Sequence, residues 1–126
     1  MALTYKVVNG SAPNASTETT VYTCPANTVA IVTMITFLNN DASVAANVFL
    51  WICPGGGATS DADRVFGMSS LLSVNQWGNV LPYQPAGGSG LIPVRWHMAA
   101  GDTLVWKFTG AGNNKVSFRP TILEVT

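Results

Sequence analysis

The chain has 126 residues, of which 48% are hydrophobic and only 10% are charged, and its six basic and six acidic residues cancel. Because about 25% charged residues is usual, the surface must be built from Asn, Ser, Thr, Gly and apolar groups. The lack of net charge excludes the basic surface of a nucleic-acid binder and gives no attraction to anionic membranes. No run approaches the ~20 apolar residues of a membrane span.

The N-terminal part predicts two short strands separated by a loop. Tyr5 to Val8 is the first strand, 9–16 is a loop rich in Gly, Pro and Asn, and Thr19 to Cys24 alternates as the second strand. The turn 25–28 follows, with Pro at the position where its fixed φ suits a tight turn. The first residues lack the apolar segment of a signal peptide, so we expect no secretion signal.

The run from Val29 to Leu38 is the strongest strand of the chain, because it has no charge, Gly or Pro and is rich in β-branched residues. Turn residues at 25–27 and 39–41 argue against a helix. A regular strand would place Val29, Ile31, Ile35 and Phe37 on one face and Ala30, Val32, Met34 and Leu38 on the other. Both faces are apolar, so the sandwich core would cover one, and a neighbouring segment or a second copy of the chain would cover the other.

Val44 to Cys53 is the next strand, and its two faces differ. One face is uniformly apolar, whereas the other carries Asn47 together with Phe49 and Trp51. Asn47 indicates solvent, but the two aromatic residues do not. Either a loop covers this face or the face is a protein interface, where aromatic residues are enriched.

The segment 59–83 is less regular. Asp61 to Arg64 predicts a single helical turn, Val65 to Met68 and Leu71 to Val74 predict short strands or an irregular crossover, and 76–79 predicts a turn or bulge. The close carboxylates of Asp61 and Asp63 suit acid–base chemistry or a hard cation. Their loop composition and the adjacent Arg64 favour a solvated turn instead.

Three further strands complete the chain: Leu91 to Met98, with Arg95 and His97 outward, Thr103 to Phe108, and Lys115 to Val125, where Pro120 predicts a bulge that changes the phase. About eight strands joined by Gly/Pro/Asn turns predict an all-β fold, an antiparallel β-sandwich of jelly-roll type. We predict a single domain over 1–126, with 1–18 as an N-terminal strand or arm and its loop. The predicted core is Ile31, Ile35, Val48, Leu50, Ile52, Val94, Trp96, Leu104, Trp106 and Phe108.

No constellation of residues predicts catalysis, so we expect no catalytic, cofactor-binding or metal-binding residues and no cofactor. His97 is the only histidine, and no Gly-x-Ser-x-Gly elbow accompanies it. Cys24 and Cys53 form no Cys/His cluster, and without a secretion signal they are expected to be free thiols rather than a disulfide. Trp51 and Trp77 leave a carbohydrate-binding module open as an alternative, because exposed indole rings stack on sugars.

Two segments carry a resemblance to a known family. Val21-Tyr22-Thr23-Cys24-Pro25-Ala26-Asn27-Thr28, continuing into the strand that ends at Asn39-Asn40, resembles the opening of small virion proteins of tailed bacteriophages. Met98-Ala99-Ala100-Gly101-Asp102-Thr103-Leu104 is similar to their later Ala-Gly-Asp-Thr-Leu turn. Cys24 departs from the pattern, which more often has Val there. The resemblance implies a structural role on a phage particle, as a capsid decoration (cement) protein or a neck or tail component.

With no catalytic constellation in the sequence, the resemblance implies a non-enzymatic virion protein, first of all a capsid decoration protein, located in the virion after assembly in the host cytoplasm. Its expected partners are copies of itself, with a trimer implied by the resemblance, and the major capsid protein or other virion proteins; nucleic acid and membranes are not expected partners. The near-neutral surface does little to keep copies apart. The candidate interface residues are Leu3, Tyr5, Phe49, Trp51, Phe66, Met68 and Trp77.

Overall fold

A computed structural model of the chain describes residues 1–10, 14–41, 43–71 and 89–126, with side chains as far as Gly67 and again from Val94. Within these ranges the chain is all-β, as predicted, and its helical residues are two short 3-10 turns at Pro54–Gly56 and Asp61–Asp63. The strands in these ranges are β1 (Leu3–Val7), β2 (Thr19–Thr23), β3 (Val29–Asn39), β4 (Ala46–Cys53), β5 (Arg64–Leu71), β6 (Ser89–Met98), β7 (Thr103–Thr109) and β8 (Val116–Val125).

The strands form two four-stranded antiparallel sheets. Sheet A has the order β1-β8-β3-β6, and sheet B has the order β2-β7-β4-β5. The first strand pairs with the last, β2 with β7, β3 with β6 and β4 with β5. This nested pairing is what results when one long hairpin is wound into two sheets, and it is the arrangement of a jelly roll. The predicted antiparallel β-sandwich is confirmed.

Inward-facing side chains of both sheets make one core, which contains Val32, Ile35, Phe37, Val48, Leu50, Met98, Leu104, Trp106, Phe108, Phe118 and Ile122. Six residues of the predicted core are fully buried, namely Ile35, Val48, Leu50, Leu104, Trp106 and Phe108. Ile52, Val94 and Trp96 are half-buried and pack against its margin. The period of two in β4 and β7 thus predicts which of their residues belong to the core between the sheets.

Ile31 is the exception, and a β-bulge in β3 is the reason. Val32 pairs with Ile122 and Met34 pairs with Thr121, so Thr33 is an extra residue in β3. The Thr33 hydroxyl donates to the Thr121 carbonyl at 3.2 Å. A bulge reverses which residues face inward, so the prediction that Ile31 shares the buried face of Ile35 and Phe37 is wrong.

The strand β8 keeps one phase throughout. Val116, Phe118, Pro120, Ile122 and Glu124 all face inward and are buried. The prediction of a bulge at Pro120 is therefore wrong. The bulge in this strand pair lies instead in β3, at Thr33.

The two segments that carry the phage resemblance meet at one corner of the sandwich. Cys24 and the turn after β6 exchange backbone hydrogen bonds, since Cys24 N–H donates to the Asp102 carbonyl and Gly101 N–H donates to the Cys24 carbonyl, each at 2.9 Å. The Asp102 carboxylate accepts the backbone N–H groups of Ala99 at 2.8 Å and Gly55 at 3.0 Å. Gly101 has a φ of 89°, which a side chain would strain. The motif residues therefore link the segments that follow β2, β4 and β6.

Asp102→Ala is expected to lower the free energy of unfolding by about 1–2 kcal/mol, because two backbone donors lose a charged acceptor. Asp102→Asn is the graded control, since it keeps one carbonyl acceptor and should lose about half as much. Denaturant unfolding measures both changes. Equal stability of the wild type and Asp102→Ala would show that the corner does not depend on this side chain.

Candidate assembly surface

The outer face of sheet A is a broad apolar surface. On β1, Leu3, Tyr5 and Val7 are 61%, 69% and 68% exposed, and Val29 at the start of β3 is 48% exposed. Its outward apolar side chains are Leu3, Tyr5, Val7, Val29, Ile31, Met34, Leu38, Leu123 and Val125, and its outward polar side chains include Thr33, Thr36, Arg95, His97, Ser117, Arg119 and Thr121. An isolated exposed apolar residue needs no explanation, but a contiguous patch of this kind marks an interaction site.

A groove crosses this face. The strand register places Tyr5, Leu123, Ile31 and His97 in one row that runs across β1, β8, β3 and β6. Together with Thr33 and Arg95, these side chains line a cavity of about 320 Å³. Ile31 and Leu123 supply its apolar part, and its two basic side chains, Arg95 and His97, are both on β6. We name it the sheet-A groove.

The charges on this face have one sign. Arg95 and Arg119 are its charged side chains, and no carboxylate lies on it. All twelve Asp, Glu, Lys and Arg residues fall within the described ranges, and among them the one ion pair joins Lys6 to Glu124. Arg95 and Arg119 therefore have no carboxylate within the described chain to neutralise them.

The outer face of sheet B carries a second, smaller apolar cluster of Phe49, Trp51, Cys53 and Val105. Trp51 is only 6% exposed, and Phe49 is half-buried. The Lys107 ammonium lies 5.6 Å from both ring centroids, a cation–π arrangement that covers them. The aromatic pair is thus largely covered within one copy, although Phe49 keeps some exposed surface.

The structure separates the seven predicted interface residues. Leu3 and Tyr5 lie on the outer face of sheet A, whereas Phe49 and Trp51 lie on that of sheet B. Phe66 faces inward and stacks on Phe37, with ring centroids 5.8 Å apart. The Met68 side chain and Trp77 lie outside the described residues, as do Leu72 to Val74 and 76–79. Assignment of these seven residues to an interface stays a prediction.

Sequence reasoning missed several residues of the outer face of sheet A: Val7, Val29, Ile31, Arg119, Leu123 and Val125. The sequence Leu3-Thr4-Tyr5-Lys6-Val7 does indicate that Val7 lies on the same face as Leu3 and Tyr5, because alternate residues of a strand share a face. No sequence signal reveals Ile31, because its orientation depends on the bulge at Thr33. The groove itself depends on a register between four strands that are distant in sequence.

A polar cluster of exposed Lys6 with buried Tyr22 and Glu124 ties β1 and β2 to β8. The Tyr22 hydroxyl donates to Glu124 Oε1 at 2.6 Å, and Lys6 Nζ lies 2.8 Å from the same oxygen. Hydrogen bonds from Lys6 and Tyr22 hold the pKa of Glu124 below its usual value. Burial, reinforced by the Glu124 carboxylate, raises the pKa of Tyr22. Because Tyr22 belongs to sheet B and Glu124 to sheet A, their hydrogen bond joins the two sheets at one end of the sandwich.

Acidification is expected to destabilise the fold through Glu124. The pKa of Glu124 in the folded chain lies below the ordinary value of 4.5. The contribution of this carboxylate to the free energy of unfolding is therefore complete above about pH 4.5, and it is lost as the pH falls through the lowered pKa. Glu124→Gln should cost about 1–3 kcal/mol at pH 7, because a charged acceptor is lost. Unfolding in denaturant between about pH 7 and pH 3 measures both effects. The wild type should lose more stability than Glu124→Gln over this range, and parallel curves would contradict the assignment.

The remaining candidate chemical groups are isolated from one another. Cys24 and Cys53 are free and buried, as expected, and burial raises the pKa of both thiols. The Cys24 thiol lies 3.4 Å from the Thr28 carbonyl, to which it donates. His97 is exposed on sheet A. In the described part of the chain, no group of three His, Cys, Asp or Glu side chains is placed to hold a metal ion, and no helix there is long and apolar enough to cross a membrane.

No protein-family model and no curated protein matches the chain. Among solved structures, it is similar to a chain of infectious bursal disease virus, Gx strain, at a TM-score of 0.42 and 9% identity, covering 98% of this chain and 32% of that one. It is also similar to the VP2 subviral particle of that virus, at 0.40 and 9%, covering 97% and 32%. A third similar structure, the T=1 particle derived from the virus, has 0.41 and 8%, covering 97% and 31%. The chain thus spans about a third of the length of these chains.

Proposed function

We propose that the chain is a non-enzymatic structural protein of a virus particle, and specifically a capsid decoration protein of a tailed bacteriophage. In this role it packs as a homo-oligomer, expected to be a trimer, on the lattice of the major capsid protein. The observation that carries the proposal is the outer face of sheet A, where Leu3, Tyr5 and Val7 leave more than half of their surface exposed. Contiguous exposed apolar surface of this kind is typical of a site that contacts another protein.

The composition supports assembly as well. A net charge of zero with 10% charged residues gives little repulsion between copies. On a lattice, symmetry repeats each contact and avidity raises the overall affinity, so stable attachment does not require any single contact to be strong. The turn motifs that resemble those of tailed-phage virion proteins form the corner at Asp102. The Asp102 carboxylate accepts two backbone hydrogen bonds there, which gives a structural reason for an Asp in the motif.

The second role within the same class is a neck or tail component, and copy number separates it from decoration. Mass spectrometry of purified particles produced from the genome that encodes this chain tests both roles. A decoration protein should be present in a fixed ratio close to that of the major capsid protein, whereas a neck or tail component should be present in far fewer copies. Absence of the chain from purified particles would refute the virion role.

A carbohydrate-binding module is the alternative from another class, and the environment of Trp51 disfavours it. A sugar ring stacks on an exposed aromatic face, but Trp51 is 6% exposed and Lys107 lies over it. A glycan array with the wild type and Trp51→Ala decides the matter. Saturable glycan binding that Trp51→Ala or Trp77→Ala abolishes, in a variant that remains folded, would favour the carbohydrate module.

A further inference from the structure

The outer faces of the two sheets differ in the sign of the charges that they carry. The outer face of sheet A carries Arg95 and His97 in the sheet-A groove and Arg119 further along β8, and it has no carboxylate. If two copies met through this face symmetrically, guanidinium groups would be buried without carboxylates to accept their hydrogen bonds. Burial of unpaired charge is costly, so this face favours a partner surface that supplies carboxylates.

Three of the six carboxylates, those of Glu18, Asp61 and Asp63, lie on the side of sheet B. Asp61 and Asp63 form the 3-10 turn before β5, and Asp61 is exposed. Asp63 and Glu18 lie close enough to the outward-facing Cys53 thiol to contribute to its raised pKa, after burial. Glu18 accepts a hydrogen bond from Thr59, and Asp63 from Ser60. Asp61 makes no ion pair in the described chain, which leaves its carboxylate available to a second molecule.

Two cations share this side but do not neutralise the turn. Lys107 lies over the Phe49 and Trp51 rings. Arg64 follows Asp63 directly and forms no ion pair with it among the described residues. The Asp61–Asp63 turn therefore remains an exposed acidic feature, with Ala62 between its two carboxylates.

Both features flank the same edge of the sandwich. The turn leads directly into β5, the edge strand of sheet B, whereas Arg95 and His97 project from β6, the edge strand of sheet A. The two edge strands contact each other through Phe66 and Trp96, whose ring centroids are 6.3 Å apart. A rotation about an axis beside this edge would bring one feature toward the other in a neighbouring copy, and a head-to-tail contact of this kind forms a ring when the rotation closes.

We propose that the sheet-A groove of one copy binds the Asp61–Asp63 turn of a second copy, with Arg95 paired to Asp61 across a head-to-tail interface. The inference rests on the proposed self-assembly and adds to it the contacting segments and the type of symmetry. The turn places its carboxylates beside Arg95 and His97 and its Ala62 methyl group over the apolar floor formed by Ile31 and Leu123. The occupant is a second copy of this chain.

A charge-swap experiment tests the pairing. Sedimentation velocity at low salt measures self-association of the wild type, Arg95→Glu, Asp61→Arg and the variant that carries both substitutions. Each single substitution should weaken association by about tenfold or more, because it places like charges opposite each other. The double variant should recover most of the wild-type association. Lys115→Glu is the matched control, since it makes the same charge change at an exposed site in the turn before β8 and should associate as the wild type does.

The outcomes are distinct. Single variants that associate like the wild type, or a double variant as weak as the single ones, would overturn the pairing while leaving self-assembly standing. A wild type that forms only a symmetric dimer would overturn the head-to-tail arrangement. A wild type that stays monomeric would overturn both this inference and the free oligomer on which it rests. Circular dichroism of each variant confirms that the sheets are retained, because all the substituted side chains are exposed.

Discussion

Replacing Phe37 with alanine is expected to lower the free energy of unfolding by about 3–5 kcal/mol, as is typical when a buried aromatic ring is removed. Phe37 is fully buried. Its ring lies 5.0 Å from that of Phe118 in sheet A, and 5.8 Å and 6.4 Å from those of Phe66 and Trp106 in sheet B. The ring thus joins the two sheets. Its loss would leave a cavity, and β3 cannot move far to fill it because β3 is hydrogen-bonded to β6 on one side and to β8 on the other.

Two variants control this measurement, which is denaturant unfolding followed by tryptophan fluorescence. Phe37→Leu keeps most of the volume and should cost about 1–2 kcal/mol. Val44→Ala removes methyl groups from a side chain that is 41% exposed, so it should change stability by about 0.5 kcal/mol or less. A loss below about 1 kcal/mol for Phe37→Ala would contradict the packing of the two sheets through this ring.

Replacing Tyr5 with serine should weaken self-association by about ten- to a hundredfold. Tyr5 is 69% exposed in the isolated chain and lines the sheet-A groove. An aromatic side chain that buries on the order of 100–150 Å² more upon association contributes about 2–4 kcal/mol before the cost of immobilisation. Sedimentation equilibrium of the wild type and Tyr5→Ser, at equal concentrations, measures the change.

The control for this prediction is Val44→Ser. Val44 is another exposed apolar residue, but it lies in the connection between β3 and β4, away from the outer face of sheet A. It should leave association unchanged, and neither variant should alter the circular dichroism spectrum. If Tyr5→Ser and the wild type associate equally while both are oligomeric, the outer face of sheet A is not the contact surface.

Most of the strands could be predicted because two local signals agree. In β7 the apolar residues Leu104, Trp106 and Phe108 recur with period two and are buried, and Gly101 and Gly110, each with a positive φ, flank the strand. Gly, Pro and Asn turns mark the ends of other strands in the same way. The composition then limits the fold to a sandwich, since eight short strands with apolar faces need a second sheet to cover them.

The phase of β3 could not be predicted, because its sequence is apolar at almost every position. Ala30, Val32, Ile35 and Phe37 are buried, and this set breaks the period of two between Val32 and Ile35. An apolar strand tolerates either register, since an alternating pattern is what fixes the face. The extra residue becomes visible only from the pairing with β8.

The candidate surface could be predicted in part. Leu3 and Tyr5 are visible in the sequence as apolar residues on a short N-terminal strand. The groove requires side chains from four strands that are far apart in the chain, so local patterns do not contain it. The position of Glu124 also could not be predicted, because it is a charged residue on the buried face of its strand, held there by Lys6 and Tyr22.

Self-assembly is the central claim, and sedimentation velocity of the purified chain from about 1 to 50 μM, the range in which contacts of this strength populate oligomers, tests it most directly. The account predicts a species whose mass is a multiple of the 13.3 kDa chain, expected to be three times that mass, and a shift toward the monomer at high salt because Arg95 contributes an ionic contact. A single species of 13.3 kDa at every concentration would contradict it.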